Sequence, residues 1–125
     1  MKKLLIIPLL LACYVGMGQT ASSIIGKPLK IRNLFVAQHD FRKMMNWDDA
    51  KKACASLGKG WKLPDKDELD ILYQYKGVIG GFVNDEYWSS TEKGTPFAFY
   101  QNFKNDWKNT NFKHFTKHVR AVKDL

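Results

Sequence analysis

Cysteine is scarce in this chain: 125 residues contain two, Cys13 and Cys54. Cys13 lies in an apolar N-terminal segment, so Cys54 is the only cysteine beyond that segment. That excludes an intrachain disulfide framework for the body of the protein. There is no phosphate-cradling glycine loop, no dinucleotide fingerprint and no calcium-loop pattern, so the sequence gives no support to those chemistries. No internal repeat is visible. Long apolar runs are missing as well. The longest covers residues 4–11 and weakens towards Val15, too short to span a bilayer. Acidic residues are few, with 12 Asp+Glu against 20 Lys+Arg and a formal net charge of +8. The deficit is local: residues 27–43 and 93–125 are basic, whereas acids outnumber bases over 46–92. If the two ends meet, they form one basic face attractive to acidic glycans, anionic headgroups or surface polymers. The plainer reading is solvated surface lysine.

What is present begins with a leader. Lys2 and Lys3 precede the apolar run, and small residues come after it, the pattern of a secretory signal. Two processing routes compete. Gly16 and Gly18 suit the −3 and −1 positions for cleavage before Gln19. Leu10, Leu11, Ala12 and Cys13 instead resemble a lipoprotein box, which would leave Cys13 acylated. Apolar Tyr14 and Val15 after the cysteine favour the first route. Residues 1–18 are therefore read as a signal peptide, and 19–33 as an N-terminal tether and edge strand. The folded domain is expected over 34–125.

The clearest structural signals lie in residues 45–70. Trp47, Ala50, Cys54 and Leu57 recur at helical spacing. Asn46 is placed to cap that helix, with Asp49 as a capping-box partner. Gly58 and Gly60 end it, since glycine takes a left-handed conformation at a helix terminus without steric cost. Trp61, Lys62, Leu63 and Pro64 lead to a second capping box, Asp65 with Glu68, before Leu69 and Leu72. Trp47, Cys54, Leu57, Trp61, Leu63, Leu69 and Trp88 are expected core residues. Cys54 on the apolar face reads as a buried, inert thiol.

Elsewhere the pattern is that of strands. Residues 27–32 alternate basic and apolar, as an edge strand does, and 34–37 form a short buried strand. Lys76 and Gly77 close the second helix, and residues 79–82 make a turn. Residues 87–91 are aromatic and β-prone, ending in hydroxyls. No strand–turn–helix elbow surrounds Ser89, Ser90 and Thr91, so local backbone bonding is favoured over a nucleophile. Residues 97–103 form a period-two strand with aromatics on both faces, and Asn105 and Asp106 mark a turn. Residues 116–122 are read as the last strand. His39 stands alone. His114 and His118 are four apart, about 13 Å along a strand, with no third ligand evident. Neither a metal nor a cofactor is expected.

These blocks, taken in order, carry a resemblance. They are Met45 to Ala50; Cys54; Leu57 and Gly58; Gly60 to Asp65; Glu68 and Leu69; Tyr87 to Glu92; and Val119 to Val122. The chain resembles the bacterial secreted domain typified by the C-terminal domain of the Legionella collagen-like adhesin, and is similar to the Fibrobacter succinogenes major paralogous domain. Lys62 stands where arginine is commoner, and Asp65 where threonine is. The resemblance implies an α+β, C-type-lectin-like fold: two helices flanking a twisted antiparallel sheet, with N- and C-terminal strands paired. It also implies that the basic ends lie together. The Glu-Pro-Asn, Gln-Pro-Asp and Trp-Asn-Asp motifs of calcium-dependent lectins are absent from the sequence. The related formylglycine-generating enzymes use late cysteines, whereas Cys54 sits in the first helix. Fold alone does not give function.

The function expected is an exported, non-enzymatic binding or adhesion domain for a glycan, an acidic polymer or a surface protein. Tyr100, Trp107 and Phe112 are candidates to stack on sugar rings, and Lys108 and Lys113 to meet anionic groups. The alternatives are a structural or assembly component of the cell envelope and, less favoured, a hydrolase-like enzyme built on Asp65, Asp67, Glu68 and Asp70. Two convergent carboxylates in a pocket would revive the enzyme reading. Nucleic acid is not expected as a partner of an exported protein. Membrane contact is expected only through acylation of Cys13.

Overall fold

The computed structural model describes residues 20–125. The leader and both of its processing routes lie outside the described residues. Among the described residues, no helix is long and apolar enough to cross a membrane.

The stretch expected as a tether contains a helix, α1 (Ala21–Ile25). Thr20 and Ser23 form a reciprocal capping box, and Ile24 is buried in the core. One buried isoleucine on a capped turn is enough to pin a segment this short. Gly26 ends α1 with φ 55°, and a Cβ there would fall 2.3 Å from the Gln38 side chain. Gln38 Oε1 uses that space to accept the Lys27 N–H.

A hairpin comes next, β1 (Leu29–Ile31) and β2 (Leu34–Val36), turning through Arg32 at φ 54°. Beyond it lie helix α2 (Trp47–Ala55), β3 (Trp61–Lys62), α3 (Lys66–Gln74) and α4 (Lys76–Ile79). Lys76 and Gly77 thus sit in one further helical turn instead of closing α3, and the chain turns at Gly80 and Gly81, both at positive φ. The rest is β4 (Glu86–Lys93), β5 (Phe97–Asn102), β6 (Lys108–Phe112) and β7 (Val122–Asp124). The strands form two antiparallel sheets, β1-β2-β7-β3 and β4-β5-β6. Pairing of β2 with β7 brings the N- and C-terminal strands together, with Phe35 opposite Lys123.

The caps arise from local chemistry. Asp65 accepts the Glu68 N–H, and the Glu68 side chain accepts the Asp65 N–H. At α2, Asn46 accepts the N–H of Asp49. Asp49 contributes that backbone donor, and its carboxylate is not part of a reciprocal box. All seven expected core residues are buried. Trp47, Cys54, Leu57, Trp61, Leu63 and Trp88 share one apolar cluster, and Leu69 lies in a second with Tyr87 and Phe103. The two deepest tryptophans have their indole N–H groups satisfied: Trp47 donates to the Ser89 carbonyl and Trp88 to that of Met45. Burial drives the Cys54 thiol pKa well above its ordinary value, which fits an inert packing group.

The last strand differs from expectation. Residues 116–121 are extended but make only single crossings: Met45 bridges Lys117, and Tyr87 bridges His118. The segment threads between β4 and the 37–45 arm, bonding the arm at Lys117, Val119 and Ala121 and β4 at His118, so no regular ladder builds until Val122. Lys117 and Arg120 are buried for this reason. Arg120 pairs with Asp40 at 2.7 Å and donates to the carbonyls of Ala37 and Gly80. The Tyr87 hydroxyl donates to the other Asp40 oxygen. Burial dominates this carboxyl and raises its pKa, despite the opposing pull of Arg120 and Tyr87.

Candidate binding surface

The five residues expected to bind ligand are placed by β5, β6 and the chain just after β6. Their side chains do not converge on one site. Tyr100 is half-buried on β5, and its ring lies 4.2 Å from the Lys117 ammonium. Burial, then the Glu86 charge, pushes its phenol pKa up. Trp107 is 59% exposed at the hairpin tip, after Asp106 at φ 67°. Lys108 opens β6 and reaches Asp70 at 3.1 Å and Asp106 at 3.6 Å. Phe112 closes β6 and is 44% exposed. Lys113 pairs with Glu92 and stands 4.2 Å from the centre of the Trp47 ring.

Two clefts and a loop tip result. The first cleft, about 270 Å³, lies between α3 and β5, with Leu69, Phe99, Tyr100 and Lys108 in its walls. Its polar groups are already matched. Gln101 donates to both Asp70 and Asp106. Burial raises the Asp70 pKa, but hydrogen bonds from Gln101, Lys108 and Gln74 together outweigh it and hold the carboxyl below its usual range. Asp70 and Asp106 do converge, yet on an amide and an ammonium. A carboxylate held ionised is a poor general acid. Ser89, in the same wall, donates to the Phe99 carbonyl, and Thr91 accepts the N–H of Lys66. Ser89 and Thr91 therefore serve backbone, as expected, but mostly at a distance in sequence: only the Thr91 N–H, donated to Ser89 Oγ, is local.

The second cleft, about 330 Å³, is lined by Asn46, Asp48, Pro96, Phe112, Lys113 and His114. Phe112 and His114 form its aromatic wall, within a row that runs from Phe97 to Phe115. Phe112 lies 4.6 Å from Phe97 and 5.5 Å from His114, and His114 stacks on Phe115 at 4.6 Å. Register holds the row in place, because Phe97 pairs directly with Phe112 across the β5–β6 ladder. Phe115 is also exposed. Sequence reasoning nominates Phe112 alone of these rings. It weighs His114 only together with His118, yet the two diverge: His118 faces Asp85 at 3.2 Å. Among the described residues, no group of three His, Cys, Asp or Glu could hold a metal.

The outer edge of β6 covers itself. Asn109 accepts the N–H of Thr110, and Asn111 that of Phe112. Those N–H groups point away from β5, where a further strand would otherwise pair. The alternation of asparagines over 109–111 was the available signal.

The sequence profile of the Lcl C-terminal domain matches residues 26–123. The chain belongs to the Lcl C-terminal domain family. No curated protein matches it in sequence. Among solved structures, botrocetin aligns with TM-score 0.59 at 14% identity, over 80% of this chain and 98% of that one. Botrocetin bound to a von Willebrand factor A1 domain mutant gives 0.60 at 11% identity, with the same coverage. EMS16, an antagonist of the collagen receptor integrin α2β1, gives 0.60 at 13%, over 78% of this chain and 97% of that one. The fold is C-type-lectin-like. In this Lcl C-terminal domain these ion pairs join the C-terminal basic stretch to the acidic middle: Lys108 to Asp70, Lys113 to Glu92, Lys117 to Glu86. The ends do meet through β2 and β7, but much of the C-terminal stretch's charge is matched internally.

Proposed function

We propose that this chain is an exported, non-enzymatic binding or adhesion domain whose ligand docks on the aromatic row at the end of β6. The observation that carries the reading is that row: exposed Phe112, His114 and Phe115, anchored by the register of Phe112 against Phe97, at a cleft with polar walls. Such concave sites with a few polar groups are the usual place for small ligands. The hydroxyl run engaged with backbone, and Asp70 held ionised under Lys108, support a role without catalysis. Export rests on reading residues 1–18 as a secretory leader. Intact mass of the exported protein distinguishes cleavage before Gln19 from acylation at Cys13. Of the ligand classes, an acidic polymer gains least support, because Lys108 and Lys113 are both paired with carboxylates.

A protein ligand has its own support. The botrocetin structure includes a protein partner, the A1 domain, and Phe112 and Phe115 here offer apolar contact. Retention on an array of neutral glycans, acidic polymers and isolated envelope proteins tests the proposal. Saturable retention on one class is expected. Retention on none, with turnover of glycoside or ester substrates, would replace it with an enzyme.

A further inference from the structure

We infer that the cleft walled by Phe112 is a subsite for an uncharged sugar ring. The inference rests on the binding role proposed above and names its ligand chemistry. The cleft volume of about 330 Å³ lies at the small end of ligand sites, the scale of a ring rather than a polymer groove. Phe112 and His114, both exposed and stacked on each other, present aromatic surface to the cleft, and Phe97 packs against Phe112 from within the sheet. Sugar C–H groups pack on such a face, and their hydroxyls need donors and acceptors around it. The rim has both. Asn46 uses its side-chain oxygen to cap α2, which leaves its amide N–H groups as donors. The Asp48 carboxylate accepts, and the His114 imidazole can do either.

Charge decides between a neutral and an anionic ring. Lys113 is the one lysine lining the cleft, and its ammonium is held by Glu92 and the Trp47 ring. Lys51 lies over the same ring at 4.3 Å and adds to the lowering of the Glu92 pKa, after the hydrogen bond and charge of Lys113. Asp48 and Asp49 occupy the first turn of α2, where they counter the positive helix end that would otherwise draw an anion. A sulfated or carboxylated ring meets carboxylates here and finds its cation already bonded.

Geometry also disfavours a peptide. Strand addition to β6 needs the outward N–H groups of Thr110 and Phe112, which Asn109 and Asn111 occupy. A stable protein interface needs about 800 Å² per partner. The next exposed aromatic along the edge, Trp107, is five residues from Phe112, about 17 Å at strand spacing. The other clefts carry less. In the α3 cleft the polar groups satisfy one another. In the cleft by His39, Asp40 and His118, Asp40 is held by Arg120 and Tyr87, and His118 by Asp85.

Native affinity electrophoresis of the exported chain tests this, in gels containing a neutral glucan, mannan, galactan or xylan, with heparin as the charged control. Retardation by at least one neutral polysaccharide is expected, unchanged between low and high salt, since screening acts on charge. Phe112→Ala and His114→Ala each lose about tenfold in affinity, while Phe112→Trp, which keeps a ring, retains it. Retardation that both alanine variants leave intact overturns the subsite but keeps the binding role. Retardation by heparin alone, abolished by salt, overturns the neutral ligand, as does retention on envelope proteins alone. Binding to nothing on the gels or the array overturns the binding role as well.

Discussion

Arg120 shows how a single residue couples the parts of this molecule. Its side chain is fully buried, and it ties the Asp40 loop, the Gly80 turn and the Phe82 ring to the C-terminal segment. A buried pair of this kind contributes little net stability, but breaking it is expensive. Arg120→Ala is therefore expected to cost about 3–5 kcal/mol, read from urea unfolding. The sign of its pH dependence is set by Asp40. Burial raises this carboxyl's folded pKa, so the native state prefers it protonated, and stability falls as pH rises through that value. Without Arg120 the largest offset to burial is gone, leaving the Tyr87 hydrogen bond and the His118 charge. The variant should recover part of its loss on going from neutral pH to below the ordinary carboxylate range. An unchanged penalty would show that Asp40 is hydrated in the variant.

Capping was legible at this scale and pairing was not. The Asp65–Glu68 box is written within four residues. Lys113 and Glu92, or Arg120 and Asp40, are joined only by the fold, so the lysines nominated for anions could not be seen from sequence to be matched already. The buried tryptophans were legible because helical periodicity places Trp47 and a fixed linker places Trp61.

At the scale of elements, the informative case is β6. Its inner edge pairs with β5 over five positions, and its outer N–H groups are covered by its own asparagines. An uncovered edge invites pairing with another chain. Asn109→Val with Asn111→Val removes both acceptors and adds β-prone side chains. Concentration-dependent association is expected, measured by sedimentation velocity, with the parent chain unchanged over the same range. A variant that stays as dispersed as its parent would show that the asparagines do not guard the edge. The final strand teaches the converse. Thr116, Val119 and Val122 have strand character, but the segment 117–121 alternates its backbone bonds between the 37–45 arm and β4, and this non-local geometry, not propensity, delays β7 to Val122. Helix α1 escapes a sequence reading because its signal, Thr20 capping Ser23 with one apolar Ile24, is too short to stand out from a polar linker.

For the molecule as a whole, the most recognisable residues and the proposed working residues are different sets. Trp47, Trp61, Leu63, Asp65 and Glu68 build the C-type-lectin-like scaffold, and all are buried or engaged in caps. The resemblance therefore conveys architecture faithfully and function only in outline. What the scaffold contributes to binding is position: α2 brings Asn46 and Asp48 beside the end of β6, while strand register brings Phe97 beside Phe112. Neither juxtaposition can be read along the chain.

The most direct measurement is the set of backbone amide shifts in a ¹⁵N-labelled sample titrated with the neutral glycan that retards the protein. The account predicts perturbations confined to the neighbourhood of Phe97, residues 112–115 and residues 46–48, with the α3 cleft around Asp70 and Gln101 silent. Perturbations centred on Asp70, Gln101 and Lys108, with Phe112 and His114 unmoved, would contradict it.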